Sequence, residues 1–154
     1  MIRIAVEHPD QAEVAALLEA SDAYMASLYP AESNHMMDIR SLERPEVRFL
    51  VARLDGRAVG CGAVVSSGKG WAEIKRMFVA PAARGLKLGR LLLAEIETLA
   101  SRNGERLLRL EMGAGQPEAL ALYRSAGFVE IGPFGGYRPD PLSLFMEKRI
   151  ASAG

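Results

Sequence analysis

Cysteine is nearly absent from this chain: Cys61 stands alone. A single thiol excludes an intrachain disulfide and cannot by itself build a structural zinc site. Histidine is scarce too, and neither His8 nor His35 has a partner at metal-ligand spacing, so no metal is expected. Net charge is missing: nineteen Lys and Arg balance nineteen Asp and Glu, which argues against broad nucleic-acid binding. No unbroken run of about 18 apolar residues occurs, so no membrane span is expected. Arg3, Glu7 and His8 interrupt anything resembling a signal peptide, and a cytoplasmic address follows as the default. There is no G-x-G-x-x-G, no G-x-x-x-x-G-K-[ST], no recognisable Ser, His and acid arrangement, and no repeat, linker or low-complexity tract.

What is present is apolar content, 49% of 154 residues, spread along the whole length. That amount predicts one soluble domain over residues 1–154, burying roughly 70% of its unfolded surface around a single core. Ile2 to Val6 reads as a short strand. Asp10 with Glu13 predicts a capping box ahead of a helix carrying Val14, Leu17, Leu18, Ser21, Met25 and Leu28, stopped by Tyr29-Pro30. Residues 31–45 are interrupted and leave room for one short helix before Pro45. Val47 to Leu54 and Arg57 to Val65 are strands joined by Asp55-Gly56, a strong hairpin signal, and Trp71 to Val79 completes an antiparallel meander. Leu88, Leu92, Ile96, Leu99 and Ala100 stripe a helix that Asn103-Gly104 ends, and Arg106 to Met112 returns as a strand. A right-handed crossover makes those two strands parallel neighbours, so the sheet is mixed. Pro117 to Ala126 is a helix with Gly127 as its left-handed stop, and Phe128 to Ile131 and Leu142 to Lys148 are closing strands around a Gly- and Pro-rich loop.

The most informative stretch is Lys75 to Arg90, where an apolar strand meets an amphipathic helix through a basic turn with Gly85 and Gly89. Glycines allow close backbone approach, the helix start offers unpaired N–H groups, and Arg84, Lys87 and Arg90 add positive charge. A diphosphate suits such a turn. A dinucleotide site is the alternative, since Glu111 lies near the distance of about 20 residues expected for its acidic residue. The glycine spacing and the preceding meander oppose it.

This element order, the basic glycine turn and the later Leu122-Tyr123-Arg124-Ser125-Ala126-Gly127-Phe128 together resemble the GNAT superfamily of acyl-CoA-dependent N-acyltransferases, over nearly the whole chain. The resemblance implies an α/β fold of the α+β type: a mixed, mostly antiparallel sheet of six to seven strands and about four helices, with one parallel pair splayed to hold the cofactor. It also implies acetyl-CoA, or another short acyl-CoA, as co-substrate. In the family an R-x-x-G-x-G turn wraps the coenzyme A pyrophosphate. Here Arg84 and Gly89 fit, and Lys87 stands where the middle glycine is usual. The cofactor-binding set implied is Arg84, Gly85, Leu86, Lys87, Leu88, Gly89 and Arg90, with backbone N–H groups of Met77, Phe78 and Val79 at a strand bulge polarising the acyl carbonyl.

The reaction expected is acetyl transfer to a primary amine by direct attack in a ternary complex. An amine with pKa near ~10.4 is protonated at neutral pH and needs a base. Glu73, in phase along its strand with Lys75, Met77 and Val79, is the candidate, and its alternative reading is a strand glutamate paired with a neighbouring base. Tyr123 is the implied partner of the leaving thiolate, better as a hydrogen-bond donor than as a full proton donor because a phenol near ~10 is a weaker acid than a thiol near ~8.5. A half-buried structural tyrosine is its alternative. Tyr24, Tyr29, His35, Phe134 and Tyr137, with Glu32, Met36, Met37 and Asp140 beside them, are candidates for the acceptor pocket, and acidic groups among aromatics suit a cationic amine. A small amine or a peptide remains open as acceptor, as do a non-catalytic acyl-CoA sensor, a protein lysine or N-terminal acetyltransferase, and a homodimer.

Overall fold

The computed structural model describes residues 1–33 and 37–151. Its strands are β1 (Ile2–Val6), β2 (Val47–Leu54), β3 (Arg57–Ser66), β4 (Trp71–Val79), β5 (Leu107–Gly113), β6 (Val129–Ile131) and β7 (Ser143–Arg149). They form one seven-stranded sheet in the order β1-β2-β3-β4-β5-β7-β6. The β4–β5 pairing is parallel and the other five are antiparallel. The helices are α1 (Ala12–Leu28), α2 (Ile39–Leu42), α3 (Leu88–Arg102) and α4 (Pro117–Ser125), with 3₁₀ turns at Ala31–Ser33 and Pro81–Ala83. Among the described residues, no helix is long and apolar enough to cross a membrane.

The two sheet faces bury different helices. Leu92, Ile96 and Ala100 of α3 are fully buried in one cluster with Ala72, Ile74, Leu108, Leu110 and Met146. Val14, Leu17 and Leu18 of α1 and Leu42 of α2 form a second cluster with Phe49, Val51, Cys61, Ala63 and Phe78. Each fully buried leucine or isoleucine of these clusters stabilises the fold by about 1.5–3 kcal/mol. The β2–β3 hairpin turns through Asp55 and Gly56, both left-handed at φ 49° and 84°, the conformation a two-residue hairpin requires.

One expected local structure does not form. Asp10 and Glu13 make no capping box: Gln11 precedes the first turn of α1 without a side-chain cap, and the Asp10 N–H donates to His8 Nδ1 at 3.1 Å. Glu13 instead accepts from Arg53 Nη1 at 2.9 Å and from the Ala58 N–H at 3.0 Å. A guanidinium and a strand amide outcompete a reciprocal cap because charge-assisted bonds are the stronger ones. Asp38 does cap α2, accepting from the Ser41 N–H at 2.8 Å.

The feature that shapes the site is a bulge in β4. Arg76 has φ 57°, and the β3–β4 register shifts between Cys61 and Ala63. The extra residue reverses the alternation of side chains. Glu73 therefore shares a face with Lys75 but is out of phase with Met77 and Val79, which turn to the α3 cluster while Phe78 turns to the α1 cluster. A strict period of two, expected over the whole strand, breaks here. Just before the bulge, the β4–β5 register ends at Ile74↔Leu110, while β5 stays paired with β7 as far as Gly113↔Ser143. The two parallel strands thus part from Lys75 onward.

Candidate functional site

The basic turn opens the site. Gly85 is left-handed at φ 92°, and Lys87, at φ 60° and ψ 27°, adopts the left-handed backbone that glycine would supply. The Lys87 side chain does not cap the start of α3, and the helix ladder begins with the Leu91 N–H on the Lys87 carbonyl at 3.2 Å. The preceding first-turn amides are the groups that bind anions at a helix start. Gly89 lets α3 approach α4: a Cβ there would lie 3.0 Å from Leu122 Cδ2. A cavity of about 340 Å³ at this turn is bordered by Arg84, Gly85, Lys87, Gly89, Arg90 and, opposing them in sign, Glu118. Arg84 leans over the Tyr24 ring at 5.9 Å, and Arg90 Nη2 donates to Ser125 Oγ at 2.8 Å.

From the turn a second cavity of about 470 Å³ runs past Val79, Phe78 and Met77 to Tyr123, and Arg84 and Gly89 belong to both spaces. It meets an inner cavity of about 110 Å³ between the parted strands, walled by Lys75 to Met77 of β4 and Glu111 to Gly113 of β5. Tyr123 borders the second and inner cavities. Its ring stands edge-on to Phe128 with centroids 5.6 Å apart, and it is buried. Burial holds its phenol well above the ordinary range, because the phenolate would have to give up its water. The hydroxyl therefore stays an O–H donor.

On the far side, Tyr137 bridges two charges. Its hydroxyl donates to Glu73 Oε2 and accepts from Lys75 Nζ at 2.8 Å, and Lys75 Nζ lies 3.7 Å from the same carboxylate oxygen. Burial first, then the Glu73 carboxylate, keep this phenol protonated. Tyr137 stands in an aromatic cluster with Phe134 and Phe145, and Phe134 meets Trp71 at 5.6 Å. Glu32, Glu73, Tyr137, Arg138 and Asp140 border an outer cavity of about 470 Å³. Ser33 Oγ donates to Asp140 Oδ2 at 2.9 Å, tying the 3₁₀ turn after α1 to the loop before β7. Glu111 borders the inner cavity and accepts from Ser143 Oγ at 2.7 Å.

The residues expected to act together divide into three places. Met77, Phe78, Val79, Arg84 and Gly89 line the run leading from the turn, with Gly85, Lys87, Leu88 and Arg90 at its mouth and Leu86 exposed. Tyr24 lies on that side, beneath Arg84. Tyr29 borders the inner cavity, Tyr137 and Glu73 the outer one, and Phe134 is buried in the cluster beneath. His35 and Met36 lie outside the described residues. Sequence reasoning passed over Glu111 as a reacting group and Arg76 altogether. The alternation of β5 carried the signal for Glu111, since Leu108, Leu110 and Met112 claim the α3 face and turn Arg109 and Glu111 to the other.

Similarity to known proteins agrees with this geometry. The profile of the acetyltransferase (GNAT) family matches residues 14–128. The IAA acetyltransferase of Azospirillum brasilense is 53% identical over 150 residues, 97% of this chain and 98% of its own. A solved chain from Klebsiella pneumoniae assigned as an acyl-CoA N-acyltransferase has 39% identity and a TM-score of 0.83, covering 97% of this chain and 98% of that one. In fold alone, the PaiA N-acetyltransferase of Thermoplasma acidophilum, solved in complex with coenzyme A, is also similar: TM-score 0.75, 21% identity, 97% and 99% coverage. Motif, parted strands and relatives converge, and the chain belongs to the GNAT family of acetyltransferases and is an N-acetyltransferase.

Proposed function

We propose that this enzyme transfers the acetyl group of acetyl-CoA to the primary amine of a small acceptor, by direct attack in a ternary complex. The observation that carries the reading is the continuous run of cavities from the basic turn, along the freed edge of β4, to Tyr123. Arg84, Lys87, Arg90 and the first amides of α3 suit the diphosphate, and the space beside Met77, Phe78 and Val79 suits the pantetheine arm. Acetyl-CoA supplies an activated thioester; the protein supplies alignment and charge.

A carboxylate takes a proton from the acceptor's ammonium, the neutral nitrogen attacks the thioester carbon, and the carbon–sulfur bond breaks as the nitrogen's surplus proton passes to the departing thiolate. Two carboxylates compete for that role. Glu73 borders the outer cavity and is engaged by Tyr137 and Lys75, whereas Glu111 borders the same inner cavity as Tyr123. That placement favours Glu111 as the base and Glu73 as a fixed charge at the acceptor mouth. Tyr123 donates a hydrogen bond to the departing sulfur. A small acceptor is favoured over a polypeptide because Ser33 and Asp140 tie the two walls of the mouth together and the inner space holds only about 110 Å³.

Calorimetry with acetyl-CoA and thiol release over a panel of amines test this reading. Binding with amine-dependent release supports it; binding without release for any amine or peptide would make the chain an acyl-CoA sensor. Glu111→Gln should lose more turnover than Glu73→Gln and recover as pH rises toward the amine's own pKa. The reverse order would return the base role to Glu73.

A further inference from the structure

Helix α1 crosses the gap between the parted strands and is fastened on both sides of it. On the β4 side the fastening is Arg76, whose side chain is only 2% exposed although it is charged. Its Nη1 donates to Asp22 Oδ1 at 2.7 Å and its Nη2 to the Leu18 carbonyl at 3.2 Å, both on α1. On the β5 side it is Tyr29, the residue closing α1, whose hydroxyl accepts the Gly115 N–H at 3.0 Å. The Tyr29 ring lies so close over Gly113 that a Cβ there would stand 2.1 Å from it. Between the two fastenings, Ser21, Met25 and Tyr29 roof the inner cavity.

Arg76 breaks two local rules at once. It is a non-glycine residue with φ 57°, and its Nε is buried with no hydrogen-bond partner among the described residues. Left-handed backbone and an orphaned buried donor each cost stability, and such costs concentrate where a structure needs a particular geometry. The Arg76 carbonyl is held as well, accepting from Cys61 Sγ at 3.3 Å. Backbone and side chain of the bulge are thus fixed to neighbours on separate elements.

Resting on the acetyl-CoA reading above, we propose that Arg76–Asp22 and Tyr29–Gly115 are paired struts that hold the β4–β5 gap open at pantetheine width before the coenzyme arrives. Arg76 is a positioning residue in this scheme. The struts spare the ligand the cost of ordering its own seat. Their loss falls on the arm of the coenzyme far more than on its nucleotide end, because the basic turn leads into α3 and, Arg84 over Tyr24 apart, is built outside α1.

The experiment compares two probes by calorimetry on the full chain: acetyl-CoA, and the nucleotide fragment of coenzyme A that lacks pantetheine. Asp22→Ala and Tyr29→Phe are the main variants, since each removes one contact without emptying the core. Arg76→Gly is the third and suits the left-handed backbone while removing the guanidinium. Each should weaken acetyl-CoA binding about 10-fold and change fragment binding less than about 2-fold, and added guanidinium should restore acetyl-CoA affinity in Arg76→Gly. Equal losses for both probes, or no loss for acetyl-CoA, would overturn the struts while leaving the acetyltransferase reading intact. A wild-type protein that binds neither probe would sink both.

Discussion

Lys87→Gly separates two contributions that one residue combines. The lysine sits at φ 60°, where an L-residue costs roughly 1–2 kcal/mol relative to right-handed backbone. Glycine removes that cost but loses about 0.5–1 kcal/mol through the greater freedom of the unfolded chain. The folded state should therefore gain between about 0 and 1.5 kcal/mol. Affinity moves the other way. A unit charge about 5 Å from one phosphoryl charge in near-bulk water is worth about 0.8 kcal/mol. Screening over a length of about 8 Å at physiological salt reduces it to roughly half. Acetyl-CoA binding should weaken about two- to fourfold, toward the upper figure at low salt. Lys87→Ala is the control: it loses the same charge but keeps the left-handed strain, so it matches the glycine variant in affinity and melts below it. Thermal unfolding and calorimetry at two salt concentrations read both quantities. A glycine variant that melts several degrees lower, or binds as tightly as wild type at low salt, would refute the reasoning.

Three further outcomes follow from particular contacts. Gly113→Ala drives a Cβ to 2.1 Å from the Tyr29 ring, so displacement of that ring and loss of its bond to Gly115 should cost about 2–4 kcal/mol in chemical denaturation. Tyr123→Phe should lower turnover with little change in acetyl-CoA affinity. Because burial raises the Tyr123 pKa, its contribution to stability is fully present below the unfolded value near ~10 and falls as pH rises beyond it; the phenylalanine variant should lose stability less steeply there, as alkaline unfolding would record. Glu105 is buried and accepts from Arg48, Ser66 and Asn103, so Glu105→Ala should destabilise by about 2 kcal/mol without altering acetyl-CoA affinity.

Sequence made the frame legible wherever a local signal decides local structure. Asp55-Gly56 can hardly be anything but a hairpin turn, Gly127 stops α4 at φ 101°, and the stripe from Leu92 to Ala100 needs a core on one side. The basic turn was equally visible, because glycine spacing and charge sit within a few residues of one another. What stayed hidden depends on contacts between distant segments. Nothing near Arg76 announces that its guanidinium would reach Asp22 across 54 positions, or that its backbone would reverse the phase of β4. The capping box failed for the same reason, since Arg53 lies 40 positions from Glu13. Tyr137 was chosen as an aromatic wall, but its meeting with Glu73 and Lys75 follows only from where the loop after β6 returns over the sheet.

That returning loop has a consequence for how such an enzyme diversifies. Ile131 at its start pairs with Phe145, and Ser143 at its end pairs with Gly113, so both ends are anchored in the ladder while residues 136–140 between them border the outer cavity. The run of cavities from the basic turn to Tyr123 is lined by other segments, chiefly β4, the basic turn and α4. On the reading proposed above for those two spaces, selectivity for one amine over another can be rewritten by exchanging an eleven-residue cassette, residues 132–142, leaving the donor half of the chemistry as it is.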